Sequence, residues 1–408
     1  MFYDIYQAQQ DLLAPLRASA GLTAMALEKS GAAANNGWMG IAAAGAQLFA
    51  RARMTHERPL FDIAPVMVAG QPREVIETPA LDMPFARLLH FHLEADASPR
   101  PCVLLVAPMA GHFATLLRGT VQTMLADHDV FITDWKNARD VPPAAGRFGT
   151  DEYIDYLMTF LAHIGEGVHA VAVCQPCPTL LAAAALMAED GHPATPRSLT
   201  LMAGPVDTRI SPTRVNTMAT QRPLDWFAQN LITSVPARYA GAYRHVYPGF
   251  LQLSAFVGMN WKRHTKAHME LFAGMASGAR DQADSTCRFY DEYFAVADMT
   301  AEFYLETVQK VFQEHHLGRG IYAWRGRTVD PGALCGTSLL TVEGGRDDIC
   351  GPGQTRAAHD LCVNIAPSRK RHHVQAEVGH YGVFSGSRWN GRIYPMVKDI
   401  IAAAESMI

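Results

Sequence analysis

From Cys102 onward the chain alternates short, wholly apolar segments with longer segments of helical spacing, and few folds tolerate that rhythm. Residues 103–106, 130–132, 170–173 and 199–202 read as strands, and 113–125, 150–164 and 178–188 as the helices between them. A short strand with no apolar–polar alternation is buried on both faces, as in a parallel sheet covered by helices. Helical connections of ten or more residues are the crossovers that parallel neighbours require. Asp151 and Glu152 are well placed in the first turn of the helix over 150–164, at its positive end. The rhythm then stops. Between Arg209 and Asp330 the sequence offers amphipathic helices, with Leu305, Val308, Val311 and Phe312 on one face, and no convincing strand. It resumes over 338–342 and 373–376, before a last helix over 394–404.

The expected architecture is an α/β fold with a mostly parallel sheet and an inserted helical cap. Its predicted parts are an N-terminal helical extension (1–60), the first part of the core (61–208), the cap (209–335) and the second part of the core (336–408). The extension is rich in Ala, Gln and Leu and looks like two helices broken at Asn35-Asn36-Gly37. A β-rich stretch follows, in which residues 87–93 alternate as a half-buried strand does.

Composition excludes several classes. With 49% hydrophobic and 18% charged residues, 408 residues can bury a large core, which argues against global disorder. The 35 Lys and Arg against 39 Asp and Glu lack the basic excess of a nucleic-acid-binding chain. No run reaches the ~18 apolar residues of a membrane span; the nearest, over 171–187, is broken by Gln175, Pro176 and Pro178. The first residues show no basic region followed by an apolar run, and seven cysteines do not make a disulfide framework. A soluble, cytoplasmic protein is the expectation.

The sharpest local feature is Ala172-Val173-Cys174-Gln175-Pro176, which follows a buried strand and leads into a helix. That is the setting of the nucleophile elbow of α/β-hydrolases, in which small residues flank a nucleophile held in strained backbone. Ala172 is one such neighbour; Pro176 replaces the usual Gly but is pre-organised for a first helical turn. A cysteine before a helix N-terminus also gains thiolate character. Two other readings compete: an inert buried cysteine, and a redox or zinc-binding Cys174-Gln175-Pro176-Cys177, although no second CxxC exists.

The company of Cys174 favours the first reading. Val342-Glu343-Gly344-Gly345-Arg346-Asp347-Asp348 runs from a strand into acids, and Val378-Gly379-His380-Tyr381-Gly382 holds a histidine between glycines. Nucleophile, acid and base thus follow in the α/β-hydrolase order, each just past a predicted strand end. Either aspartate could be the acid; the chain order favours one catalytic carboxylate over a helix cap or a metal ligand. The loop Ala107-Pro108-Met109-Ala110-Gly111-His112 follows the first core strand. In this fold such a loop gives one oxyanion-hole N–H, from Met109 or Ala110, and the residue after the nucleophile, Gln175, gives the other. A plain tight turn is the alternative. His90 and His92 share a strand face without an evident third ligand, so no metal or other cofactor is expected.

These segments resemble the intracellular polyhydroxyalkanoate depolymerases. The resemblance is carried by Pro108-Met109-Ala110-Gly111-His112-Phe113 through Gly119-Thr120, by Thr133-Asp134-Trp135-Lys136-Asn137-Ala138-Arg139, by the Cys174 elbow, and by Tyr290-Asp291-Glu292-Tyr293 through Tyr304-Leu305. It implies cleavage of poly(3-hydroxybutyrate) on cytoplasmic storage granules through a cysteine nucleophile. Carried over, Cys174 is the nucleophile, His380 the base and Asp347, which precedes Asp348-Ile349, the acid. The implied partner is the polyester granule surface, with coenzyme A as a conceivable acyl acceptor beside water; no nucleic acid and no membrane span are expected. A synthase-like acyltransferase, whose cysteine usually sits among glycines, and a non-catalytic granule protein are the competing readings.

Overall fold

A computed structural model of the chain describes residues 2–31, 37–94, 100–259 and 261–406. The expected break at Asn35-Asn36 lies outside them. Eight strands form the central sheet: β1 (Val75–Asp82), β2 (Ala86–Leu93), β3 (Cys102–Val106), β4 (Asp129–Trp135), β5 (His169–Val173), β6 (Ser198–Met202), β7 (Ser338–Gly344) and β8 (Lys370–Gln375). Their order is β8-β7-β6-β5-β3-β4-β2-β1. All neighbours from β8 to β4 are parallel, and β2 runs antiparallel to both β4 and β1. This order, with one reversed second strand, is the α/β-hydrolase fold, as expected.

The two faces of the sheet make two cores. Helices α4 (Thr150–Ile164) and α5 (Cys177–Glu189) cover one, burying Tyr153, Leu157, Leu180 and Leu181. α5 is apolar all round, and is buried along nearly its whole length for that reason. Helices α3 (Arg118–Met124) and α12 (Tyr394–Glu405) cover the other face with Val121, Met124, Val397 and Ile401.

The connection from β6 to β7 carries the cap: α6 (Arg214–Thr220), α7 (Leu224–Leu231), α8 (Gly249–Met259), α9 (Trp261–Ser277), α10 (Arg280–Tyr293) and α11 (Ala301–Thr307). It is not strand-free. Thr233–Ser234, His245–Tyr247 and Met299–Thr300 form a three-stranded antiparallel sheet, and Ala323–Trp324 pairs with Arg327–Thr328. Strands of two or three residues hold no period to read. Of the aromatics in this block, Phe227, Tyr247 and Phe250 are buried, while Tyr243 and Trp261 are exposed.

Two edges also differ from the sequence pattern. β8 begins at Lys370 rather than 373, and its polar sequence fits an edge strand paired only with β7. β1 falls in the expected β-rich stretch, where the sequence pattern gives it no bounds; it too is an edge strand, contains Pro79, and shifts register between Pro79 and Leu81.

The N-terminal helices α1 (Phe2–Lys29) and α2 (Gly37–Arg51) pack against the cap. Tyr3 donates its hydroxyl to buried Asp298 at 2.6 Å, Tyr6 stacks on Phe250 with ring centres 3.8 Å apart, and Leu48 packs against Leu271, Ala283 and Cys287. Among the described residues no helix is long and apolar enough to cross a membrane.

Candidate active site

The chain turns sharply after β5, and Cys174 sits at the turn with φ +67°, a left-handed conformation that costs a non-glycine residue roughly 1–3 kcal/mol. The turn is held from both sides. Cys174 N–H donates to the Met202 carbonyl at 2.8 Å, and the Cys174 carbonyl accepts from Cys177 N–H at 3.1 Å as α5 begins. Cys177 is buried, and burial pushes its thiol pKa well up. Its sulfur points back at the carbonyls of Ala172 and Met202. The two thiols differ in their surroundings: one is at the turn and the other is in the core.

Past the end of β7, Asp347 is buried and its two oxygens are divided between two tasks. Oδ1 accepts from the backbone N–H groups of Ile349 and Cys350 at 2.8 and 2.9 Å, which fixes the carboxylate. Oδ2 lies 2.8 Å from His380 Nδ1. Asp348 is exposed on the same loop. His380 lies in a short 3-10 turn five residues past the end of β8 and is buried. Burial pulls its pKa down, but the charge and hydrogen bond of Cys174 and the Asp347 carboxylate outweigh it and hold the imidazole well above its ordinary value.

The loop after β3 approaches the elbow. Gly111 takes φ +78° there. Trp135 Nε1 donates to the Ala107 carbonyl at 2.8 Å, Ala107 N–H donates to Thr133 at 2.9 Å, and Ala297 N–H from the cap donates to the Gly111 carbonyl at 3.0 Å. His112 is buried and spans this loop and the cap, its ring nitrogens 3.3 Å from the Ala110 carbonyl and 3.2 Å from that of Tyr293. Burial pushes its pKa down to about 4, so it is neutral at pH 7. Met109 and Ala110 lie on this loop, and Gln175 follows Cys174 on the elbow. Backbone N–H groups on a fastened loop and elbow are what a developing oxyanion requires.

The cap lies across this group. Gln252 of α8 packs on Gly111, Met299 lies 3.9 Å from Gln175 Nε2, and the Tyr293 ring faces that of Tyr381, next to His380. Cys174, His380 and Asp347 are thus neighbours, and Gln175 of the elbow meets the cap at Met299. His90 and His92 lie elsewhere, stacked on each other with His90 against Phe131. The described residues hold no cluster of three metal ligands.

Two contributors escaped the sequence. Gly204, just past β6, leaves no room for a side chain: a Cβ there would lie 2.2 Å from Cys177 Cβ and Sγ and 2.8 Å from the Cys174 carbonyl. Its N–H and carbonyl are both bonded by the Thr355 hydroxyl. Gln252 lies in the insertion, and nothing local marks it.

The model of a family described as "PHB de-polymerase C-terminus" matches residues 203–405, a span that contains Asp347 and His380 and begins after Cys174. A comparison with curated proteins finds no match. Several solved structures are similar at low identity. A 2-hydroxy-6-oxo-6-phenylhexa-2,4-dienoate hydrolase from Rhodococcus sp. strain RHA1 is 15% identical, covering 81% of this chain and 99% of that one, with TM-score 0.41. The α/β hydrolase GrgF from Penicillium sp. sh18 is 13% identical over 82% and 100% of the two chains, with TM-score 0.44. The thioesterase domain from the curacin biosynthetic pathway is 10% identical over 80% and 99%, with TM-score 0.42.

Proposed function

Given that the chain belongs, by its C-terminal half, to the PHB depolymerase family, we propose that it hydrolyses poly(3-hydroxybutyrate) of cytoplasmic granules with Cys174 as nucleophile. The observation that carries this reading is the left-handed Cys174 at the strand–helix turn, close enough to a buried histidine that Asp347 orients to raise that histidine's pKa. An inert core cysteine needs neither the strained backbone nor the buried ion-pair partners.

In this account His380 takes the Cys174 proton and the thiolate attacks the ester carbonyl. The oxyanion is stabilised by the N–H of Gln175 and by that of Met109 or Ala110. The hydroxyl end of the departing chain receives the proton from His380, leaving a hydroxyacyl thioester on Cys174. Water then attacks this thioester, His380 accepting the water proton and returning it to the sulfur, and the acid is released. Asp347 fixes the imidazole so that Nε2 faces the sulfur, and stabilises the imidazolium.

The test is incubation of the purified protein with amorphous poly(3-hydroxybutyrate) granules, without any hydroxyacyl-CoA, followed by assay of soluble 3-hydroxybutyrate and its oligomers. Release that depends on Cys174 supports the reading. A synthase-like acyltransferase or a passive granule protein releases none.

A further inference from the structure

Helix α1 is turned inside out relative to an ordinary surface helix. Its inward side is fastened by polar and aromatic groups: Tyr3 to Asp298, Gln7 to the Tyr239 hydroxyl, and Asp11 to Arg238. Only Tyr3 and Ala24 of its 28 residues are buried. Its outward side carries Ile5, Ala8, Leu12, Leu16, Ser19 and Thr23, spaced three or four residues apart so that they form one stripe. All six are exposed and none is charged. Ile5, Leu12 and Leu16, with Leu22 beside them, are 56–73% exposed, in a position where solvent normally selects charge. α2, packed alongside, adds the exposed Ile41 and Phe49.

Such a face calls for an occupant, and its charge pattern distinguishes among the candidates. Helices that lie on anionic membranes are rich in Lys and Arg beside the apolar face. α1 has two basic residues, Arg17 and Lys29, against Asp4, Asp11 and Glu28. A coiled coil with a second copy needs an apolar seam sustained over three or more heptads. Here the large apolar residues of the stripe end at Leu16, Ser19 and Thr23 follow, and Pro15 lies inside the helix beside them. An uncharged polyester offers apolar methyl and methylene groups and no fixed charge, which matches a charge-free stripe.

We propose that the outward face of α1 is the surface by which the protein adsorbs to amorphous polyester, apart from the cleft that receives the scissile ester. This rests on the polyester reading of the Cys174 site. The face is held to the cap by Tyr3 and Tyr6, so adsorption would keep the cap at the polymer surface while single chain segments enter beneath it.

The test is co-sedimentation of the full chain with artificial amorphous poly(3-hydroxybutyrate) granules, with hydrolysis of a short soluble butyrate ester measured in parallel. Leu12→Glu/Leu16→Glu should lower the adsorbed fraction about tenfold or more, from the loss of two buried apolar contacts, and leave soluble-ester turnover unchanged. Leu12→Met/Leu16→Met should adsorb like the wild type. Equal adsorption of the glutamate variant overturns the proposal. So does a wild-type dimer that the glutamate variant converts to monomer by light scattering, or adsorption to phosphatidylcholine–phosphatidylglycerol vesicles in preference to granules. Wild-type adsorption that the glutamates abolish, without any release of hydroxy acid, would uphold the surface and refute the depolymerase reading. Failure of the wild type to adsorb at all refutes the surface.

Discussion

His380 Nδ1 lies 2.8 Å from Oδ2 of Asp347, whose other oxygen is held by two backbone N–H groups, while the adjacent Asp348 is exposed. One carboxylate is built into the fold facing the imidazole, and its neighbour is not. Asp347→Asn should therefore lower kcat by roughly 10³- to 10⁴-fold through the wrong imidazole tautomer. Asp348→Asn should stay within a few-fold of wild type. Steady-state kinetics on a soluble ester measure both, and a larger loss at 348 would transfer the role by one position.

The second prediction concerns the pinch between Gly204 and the elbow. Gly204→Ala forces a methyl group against Cys177 and the Cys174 carbonyl, so it should cost about 1–3 kcal/mol and displace the turn. Gly119→Ala, on a helix where a Cβ meets nothing within 4 Å, is the control. Denaturant midpoints and kcat should both fall for the first variant and hold for the second.

The position of Cys174 is legible because it lies at a strand end where the pattern of apolar runs is strong, whereas His380 follows a polar edge strand and is marked by its place between Gly379 and Gly382. The choice between Asp347 and Asp348 is not, since it depends on which side chain turns inward on a loop. Gly204 is invisible for a related reason: its need to be glycine comes from the spacing of β5 and β6, not from its neighbours in sequence. The edge strands β1 and β8 have no legible bounds because edges are polar and lack the apolar signature of the strands between them. The cap strands are too short for any period. The topology was legible because alternating strands and crossovers admit few arrangements.

Acid should destabilise the protein earlier than its carboxylates alone would. Burial pushes His56 down to about 3, and His112 and His128 to about 4, so all three are neutral in the folded chain at pH 5. The unfolded chain protonates them near pH 6.5, and so binds more protons between about 4 and 6.5. Stability is complete above that window and falls as pH drops through it. Urea midpoints at pH 7.5, 6 and 5 should decline in that order, and His112→Gln should flatten the decline.

His380 has the opposite sign. Its folded pKa is raised, so the stability contributed by the imidazolium is complete below about pH 6.5. It is lost as pH rises through the higher folded value. Cys174→Ala removes the charge and hydrogen bond that raise it. By side-chain NMR, His380 should stay protonated to higher pH in the wild type than in Cys174→Ala; identical titrations would mean that the two side chains do not interact.

The central claim is that the ester is opened by covalent attack of Cys174, and the acyl-enzyme tests it most directly. The protein should be mixed with a 3-hydroxybutyrate oligomer, quenched in acid within the first turnovers, and digested for mass spectrometry. The account predicts a hydroxyacyl mass on the peptide containing Cys174, labile to hydroxylamine as a thioester is, and absent from Cys174→Ala. It also predicts loss of steady-state hydrolysis in that variant, with Cys177→Ala retaining most of it. An acyl mass on another residue, or undiminished hydrolysis by Cys174→Ala, would contradict the account.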